Sequence, residues 1–101
     1  MLGRLFRQDP RDYLAAAKMM EVRDVLRQVT EQNQQHNPEA QSYDEVVAPC
    51  REKLRDIHGR FPEYTLLDVT RMVVERCIQR DLMVECYVYL AACIDIMEGV
   101  E

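Results

Sequence analysis

The stretch LMVECYVYLAACIDIM, residues 82–97, decides the fold of this chain. Every position in it is apolar except Glu85 and Asp95. On a helical wheel, Asp81, Glu85 and Asp95 fall within about 80° of one another, which predicts one narrow stripe of acidic side chains facing water. A helix that is apolar on the rest of its circumference must be covered by other parts of a protein on most of its sides.

A strand is the other interpretation of this stretch, because ECYVYL, residues 85–90, is rich in residues that favour strands. A strand needs a partner, and no second run of alternating apolar and polar residues exists in the chain. The run is also longer than a typical strand, and Gly99 follows it as a stop signal for a helix. The sequence therefore predicts a helix.

Two arrangements could cover this C-terminal helix. It could be the central helix of a four-helix core, or it could be covered on one side only and present its other side to a second copy or another protein. Tyrosine and methionine are typical anchors of interfaces, which favours the second arrangement and a homodimer in particular. The residues expected at this self-association interface are Met83, Cys86, Tyr87, Tyr89, Leu90, Ile94 and Met97.

The region before this stretch opens with the spacing of a capping box, Thr65 followed by Asp68. An apolar stripe of Leu66, Val69, Val73 and Cys77 then indicates a helix. No glycine or proline interrupts residues 65–98, so one long helix or two shorter ones fit. We favour a break at QRD, residues 79–81, with Asp81 capping the second helix, because a long rod suits a small domain poorly.

Ser42 and Glu45 have the spacing of another capping box, and Val46, Cys50, Leu54, Ile57 and Phe61 follow on one helical face. Pro49 disturbs this pattern, because an interior proline removes a hydrogen bond. Either the helix kinks at Pro49 or it begins there, and Gly59 is expected to end it.

The first predicted helix spans residues 10–33, with Asp9 as its cap and Pro10 in its first position. Its apolar stripe consists of Ala15, Met19, Val22, Leu26 and Val29. A polar loop over residues 34–41 follows, closed by Asn37-Pro38. The predicted fold is an all-α single domain over residues 1–101, a small bundle of three to four helices whose last helix is strongly apolar.

Charge limits the classes of partner. The chain has 101 residues with 13 basic and 18 acidic side chains, a net charge of −5, which makes nucleic acid an unexpected partner. The apolar C-terminal run is too short for a bilayer and no secretory signal is visible, so a membrane partner is not expected and we expect a cytoplasmic protein.

The N-terminus differs from the rest of the chain in charge. Residues 1–30 carry six basic and four acidic side chains, so this region has the only basic excess. Residues 1–9 are predicted to be a flexible basic segment. A second hypothesis gives this segment a docking role, through an apolar face flanked by basic groups; the residues are Leu2, Leu5, Phe6, Arg4 and Arg7.

No residue pattern points to catalysis or to a cofactor. The four cysteines have no C-x-x-C spacing and no histidine nearby, which argues against a metal site and for free buried thiols. The three glycines are isolated, so no phosphate-binding loop is present. His36 is expected in a solvated loop, and His58 near a helix end. We expect no cofactor, no metal and no enzymatic activity.

Three classes of function remain after these exclusions, of which the last is an enzyme subunit, supported only if a structure shows a pocket with converging polar groups. The first is a protein-interaction module, such as an adaptor, a chaperone-like escort or an inhibitor. The second is a nucleic-acid-binding transcriptional regulator that uses the helix around residues 66–80, with Arg71, Arg76 and Arg80 as contacts. Glu63, Asp68 and Glu75 are interleaved with those arginines, which favours the first class.

Overall fold

Helices alone make up the secondary structure of residues 8–100, the part of the chain that the computed structural model describes. A 3-10 turn at Pro10–Tyr13 precedes four α-helices: α1 (Ala16–His36), α2 (Tyr43–Arg60), α3 (Leu66–Gln79) and α4 (Met83–Met97). The predicted all-α bundle is therefore confirmed. The predicted N-terminal docking residues Leu2, Arg4, Leu5, Phe6 and Arg7, and with them most of the predicted flexible segment 1–9, lie outside the described residues.

The chain enters the bundle through the short turn and not through a helix that starts at residue 10. Asp9 does act as a cap, since its side chain accepts a hydrogen bond from the Arg11 N–H at 2.9 Å. Tyr13 is buried against the edge of the Tyr87 ring, with 6.2 Å between ring centroids. The turn ends there, and α1 begins only after Ala15, whose backbone is extended.

The C-terminal end of α1 also differs from the prediction. The helix continues to His36, and the Asn37 N–H still bonds to the Asn33 carbonyl at 2.8 Å. The polar residues before His36 can stay helical because the last turn is exposed, and Pro38 disfavours helical backbone at Asn37. The connection to α2 is consequently shorter than the predicted loop 34–41.

Both predicted capping boxes are confirmed, at Ser42–Glu45 for α2 and at Thr65–Asp68 for α3. Pro49 lies inside α2. Pro49 is exposed, and so is Glu45, the residue whose carbonyl loses its helical hydrogen bond to position 49. Gly59 falls within the last turn of α2, which ends one residue later than predicted.

The predicted break between the last two helices is confirmed, but the role of Asp81 is different. Asp81 has a left-handed backbone with φ of 59°, and it closes α3: the Leu82 N–H bonds to the Cys77 carbonyl at 2.8 Å and the Asp81 N–H to the Ile78 carbonyl at 3.0 Å. Leu82, not Asp81, caps α4, and no side-chain oxygen serves its first turn. Gly99, with φ of 86°, ends α4 in the same way, as predicted.

Helix α4 is the centre of the bundle and packs against α1, α2 and α3. Its ten consecutive residues from Cys86 to Asp95 are all buried. The surrounding helices each bring fully buried side chains to it: Met19 and Val22 from α1, Val47 and Leu54 from α2, and Val69 and Val74 from α3. This is the first of the two arrangements that the sequence left open, the central helix of a four-helix core.

Candidate functional site

The residues predicted to mediate self-association lie mostly inside the chain's own core. Five of them are buried: Cys86, Tyr87, Tyr89, Leu90 and Ile94. Met83 is half-buried, and Met97 is 53% exposed near the end of α4. Because the amphipathic helices α1, α2 and α3 enclose α4, these seven residues do not form an exposed face of the chain.

The prediction that Asp95 faces water is wrong. Asp95 is 1% exposed, and its Oδ2 accepts hydrogen bonds from the Arg51 guanidinium at 3.0 Å and from the Tyr43 hydroxyl at 2.8 Å. The Arg23 guanidinium lies 3.5 Å from the other carboxylate oxygen, Oδ1. A buried carboxylate needs such partners, because burying an unpaired charge is strongly unfavourable.

The two buried arginines extend this network toward the surface. Arg51 also pairs with Asp44, and Arg23 with Glu98. The hydrogen bond from Arg23 lowers the pKa of Glu98 below its ordinary value, while burial, followed by the bond to Asp95, raises the pKa of Tyr43. Arginine and carboxylate groups alternate through this network, and it ties α4 to α1 and α2, so it holds the bundle together.

A groove of about 440 Å³ lies between α2 and α3 and reaches the start of α4. Its apolar lining consists of Ile57, Val73, Cys77, Leu82 and the ring of Tyr89, and its charged lining of Lys53, Arg76, Arg80 and Glu85. Volumes of this size are typical of ligand-binding clefts with a mostly apolar wall and a few polar groups.

The basic side chains at this groove have no carboxylate partner in the described part of the chain. Lys53, Arg76 and Arg80 are exposed, and none of them forms a salt bridge within residues 8–100. Glu85 is the one acidic residue of the lining. The groove therefore carries a local excess of positive charge in a chain whose net charge is −5.

Helical spacing explains why these side chains meet. Val73, Arg76, Cys77 and Arg80 follow one another at three, one and three residues, which places them on one side of α3 and its C-terminal cap. Lys53 and Ile57 are four residues apart on α2, and Leu82, Glu85 and Tyr89 succeed each other at three and four residues on α4. The tight closure of α3 at Asp81 brings the two rows of α3 and α4 to one groove.

The titratable groups in the floor of the groove stay neutral at neutral pH. Burial raises the pKa of the Cys77 thiol, and burial together with the neighbouring Cys77 raises that of Cys86, behind the floor, to about 12. Burial also raises the pKa of Tyr89 to about 12. A thiol without thiolate character is a weak nucleophile, so the floor is suited to apolar contact and not to nucleophilic chemistry.

Other kinds of site can be assessed within the described part of the chain. All four cysteines are free, three of them buried and Cys50 half-buried. No group of three His, Cys, Asp or Glu side chains among residues 8–100 is arranged to hold a metal ion. His36 is exposed and His58 half-buried. The helices of residues 8–100 are all too short or too polar to cross a lipid bilayer.

Sequence reasoning missed both the Asp95 network and the groove. The signal for the first was a charged residue on a buried stripe: Arg51 lies four residues after Val47 and three before Leu54. The signal for the second was the spacing of Val73, Arg76 and Arg80, which mixes apolar and basic residues on one side of a helix. The sequence had identified Arg76 and Arg80 only as candidate contacts to nucleic acid.

Comparison of the chain with protein-family models, with curated proteins and with solved structures found no significant match.

Proposed function

We propose that this chain is a small cytoplasmic protein-binding module without enzymatic activity, such as an adaptor, an escort or an inhibitor. We further propose that its partner docks in the groove between α2 and α3. The single observation that carries this proposal is the composition of the groove. An apolar floor lies next to three basic side chains that are exposed and form no salt bridge within residues 8–100. Such a combination offers a partner both apolar burial and charge pairing.

Self-association through α4 is not part of the proposal, because five of its seven expected contacts are buried in the core. A nucleic-acid regulator remains the second candidate. Arg76 and Arg80, which are exposed near the end of α3 and form no salt bridge within residues 8–100, favour it. The apolar floor, Glu85 and the net charge of −5 weigh against it, because nucleic-acid interfaces are strongly basic.

A peptide selection tests the proposal. Helical peptides displayed in a library are selected on the immobilised protein, and the dissociation constants of the recovered peptides are measured by fluorescence anisotropy. We expect recovered peptides to lose about tenfold in affinity for Val73→Gln, because an amide in the floor removes apolar contact. Met72→Gln is the matched control, since Met72 is the neighbouring residue, is 45% exposed and does not line the groove.

A second measurement uses the unmodified protein, because Val73→Gln could also weaken the fold. Carbon-13 methyl spectra report directly on Ile57, Val73 and Leu82, and these signals are expected to shift when a recovered peptide is added. If no peptide is enriched, or if enriched peptides shift only methyl signals away from the groove, the groove is not a protein-docking site.

A further inference from the structure

The charge of the groove specifies the chemistry of its occupant. We propose that the groove binds an acidic amphipathic helix of a partner protein, with apolar side chains on the floor and carboxylates against Lys53, Arg76 and Arg80. This inference rests on the proposed function, since it names the partner of the same groove. It adds the sign of the partner's charge and the form of its docking segment.

The form of the segment follows from the shape of the lining. Residues of two consecutive helices, α2 and α3, form the two walls, and their apolar side chains form the floor together with Leu82 and Tyr89 from α4. A groove between helices accepts the apolar face of a further helix, whose anchors recur at three, four and seven residues. A helix brings carboxylates to both sides of its apolar face, where the two walls carry Lys53 and Arg76.

The sign of the charge follows from a count of partners. The fold pairs its buried arginines with carboxylates, as at Asp95, yet Lys53, Arg76 and Arg80 have no such partner within the described chain. Arginine forms paired hydrogen bonds to a carboxylate with its planar guanidinium, so Arg76 and Arg80 can orient an acidic side chain as well as attract it.

Two helix ends contribute opposite partial charges to the groove. Leu82, the cap of α4, has no side-chain oxygen to accept hydrogen bonds from the first turn of that helix. The C-terminal end of α3, with Arg76 in its last turn and Arg80 as its cap, brings a partial negative charge to the groove, and the N-terminal end of α4 brings a partial positive charge. Glu85 in the first turn offsets part of this charge but forms no salt bridge with Arg76, Arg80 or Lys53.

Two matched peptides test the inference. Both carry leucines at helical spacing for the floor, and their flanking positions hold glutamate in one peptide and lysine in the other. We expect the glutamate peptide to bind about tenfold more tightly at low ionic strength, because several exposed charge pairs each contribute modestly. Its affinity is expected to fall as sodium chloride is raised, because salt screens exposed charges.

A charge exchange supplies the decisive arm. In the double variant Arg76→Glu and Arg80→Glu the preference is expected to reverse, so that the lysine peptide binds more tightly. Arg71→Glu is the matched control: Arg71 is an exposed arginine of α3 that does not line the groove, and its reversal is expected to leave the preference unchanged. Circular dichroism confirms that each variant is folded.

The outcomes separate this inference from the proposed function. If both peptides bind equally and the charge exchange has no effect, the groove docks a protein segment but the acidic partner is wrong. If neither peptide nor any selected peptide binds, the docking function itself fails. If duplex DNA binds instead and Arg76→Glu abolishes its binding, the nucleic-acid alternative replaces both proposals.

Discussion

Basic side chains have different surroundings at the two ends of helix α4. Near its C-terminal end, Arg23 and Arg51 reach inward to Asp95, and Arg55 donates a hydrogen bond to the Val100 carbonyl. Near its N-terminal end, the exposed basic side chains of the groove have no carboxylate partner among the described residues. At one end of α4 the arginines therefore form structural contacts within the chain, and at the other end the basic side chains form no salt bridge within residues 8–100.

This difference follows from burial, because the arginines at both ends lie beside the electronegative C-terminal end of a helix. The C-terminal end of a helix is electronegative and favours cations, which α4 itself does not provide in its last turn. Arg23 and Arg51, from α1 and α2, supply them and also neutralise the carboxylate of Asp95. At the N-terminal end of α4, Arg76 and Arg80 lie in the last turn and at the cap of α3, whose electronegative end favours cations in the same way. The two ends of α4 therefore differ in burial and in salt bridges: the arginines at Asp95 are buried and paired, whereas the groove cations are exposed and form no salt bridge within residues 8–100.

The largest expected effect comes from removing the buried carboxylate. Asp95→Ala leaves Arg51, which is 2% exposed, without its buried partner, and we expect the free energy of unfolding to fall by about 3–5 kcal/mol. Urea denaturation measures this free energy of unfolding. Asp56→Ala is the control, because Asp56 forms only an exposed ion pair with Arg60 at 2.8 Å, and its loss is expected to change stability by less than about 0.5 kcal/mol. Similar values for the two variants would show that the Asp95 network does not hold the bundle together.

A smaller effect is expected from Tyr43→Phe, which removes the phenol that donates to Asp95 at 2.8 Å and keeps the ring. A hydrogen bond to a charged group contributes about 1.5–3 kcal/mol, so the loss is expected to lie in that range. The ring keeps its contact with the Arg27 guanidinium, 4.9 Å from the ring centroid. In the background of Asp95→Ala the same change is expected to have little effect, and full additivity of the two changes would contradict direct coupling.

The raised pKa of the Cys86 thiol, near the N-terminal end of α4, predicts a loss of stability at alkaline pH. Burial, followed by the neighbouring Cys77, raises the pKa of Cys86 from 9.0 to about 12, so above pH 9 the unfolded chain loses this proton while the folded chain keeps it. Stability is therefore retained below pH 9 and falls as the pH rises toward 12, by up to about 1.4 kcal/mol per pH unit for such a group. Urea denaturation from pH 8 to pH 11 measures this slope, which is expected to be shallower in Cys86→Ala. An unchanged slope in that variant would assign the alkaline loss to other groups.

The fold was predictable where local rules decide it. The capping boxes at Ser42 and Thr65, the break at residues 79–81 and the stop at Gly99 all depend on residues close in sequence, and the structure confirms them. The start of α1 was not predictable from local rules, because Tyr13 takes its position from its contact with Tyr87, far along the chain. Local propensity carries no information about such a contact.

The candidate site was predictable only in part, for a related reason. A helical wheel of α4 places Asp95 on the side of Glu85, and nothing in that helix alone distinguishes a carboxylate facing water from one facing two arginines of other helices. The apolar circumference of α4 was correctly taken to need cover, but the sequence did not show that α1, α2 and α3 suffice to provide it. Arg76 and Arg80 were identified, together with Arg71, as candidate nucleic-acid contacts, whereas the groove that Arg76 and Arg80 share with Lys53 depends on how α2 packs against α3.

The smallest expected effect gives the sharpest form of the comparison, because two basic residues of α2 stand two positions apart and face different surroundings. Lys53 is exposed at the groove and has no ion pair within residues 8–100, so Lys53→Gln is expected to change the free energy of unfolding by less than about 0.5 kcal/mol. Arg51→Gln exchanges a cation for the same amide in the buried network and is expected to cost several kcal/mol, as for Asp95→Ala. Thermal and urea unfolding measure the difference in stability between the two variants.

A destabilisation by Lys53→Gln that approaches that of Arg51→Gln would mean that the groove cations stabilise the fold and are not free to bind a partner. A silent Lys53→Gln that nonetheless weakens binding of the glutamate peptide would separate stability from recognition on a single helix.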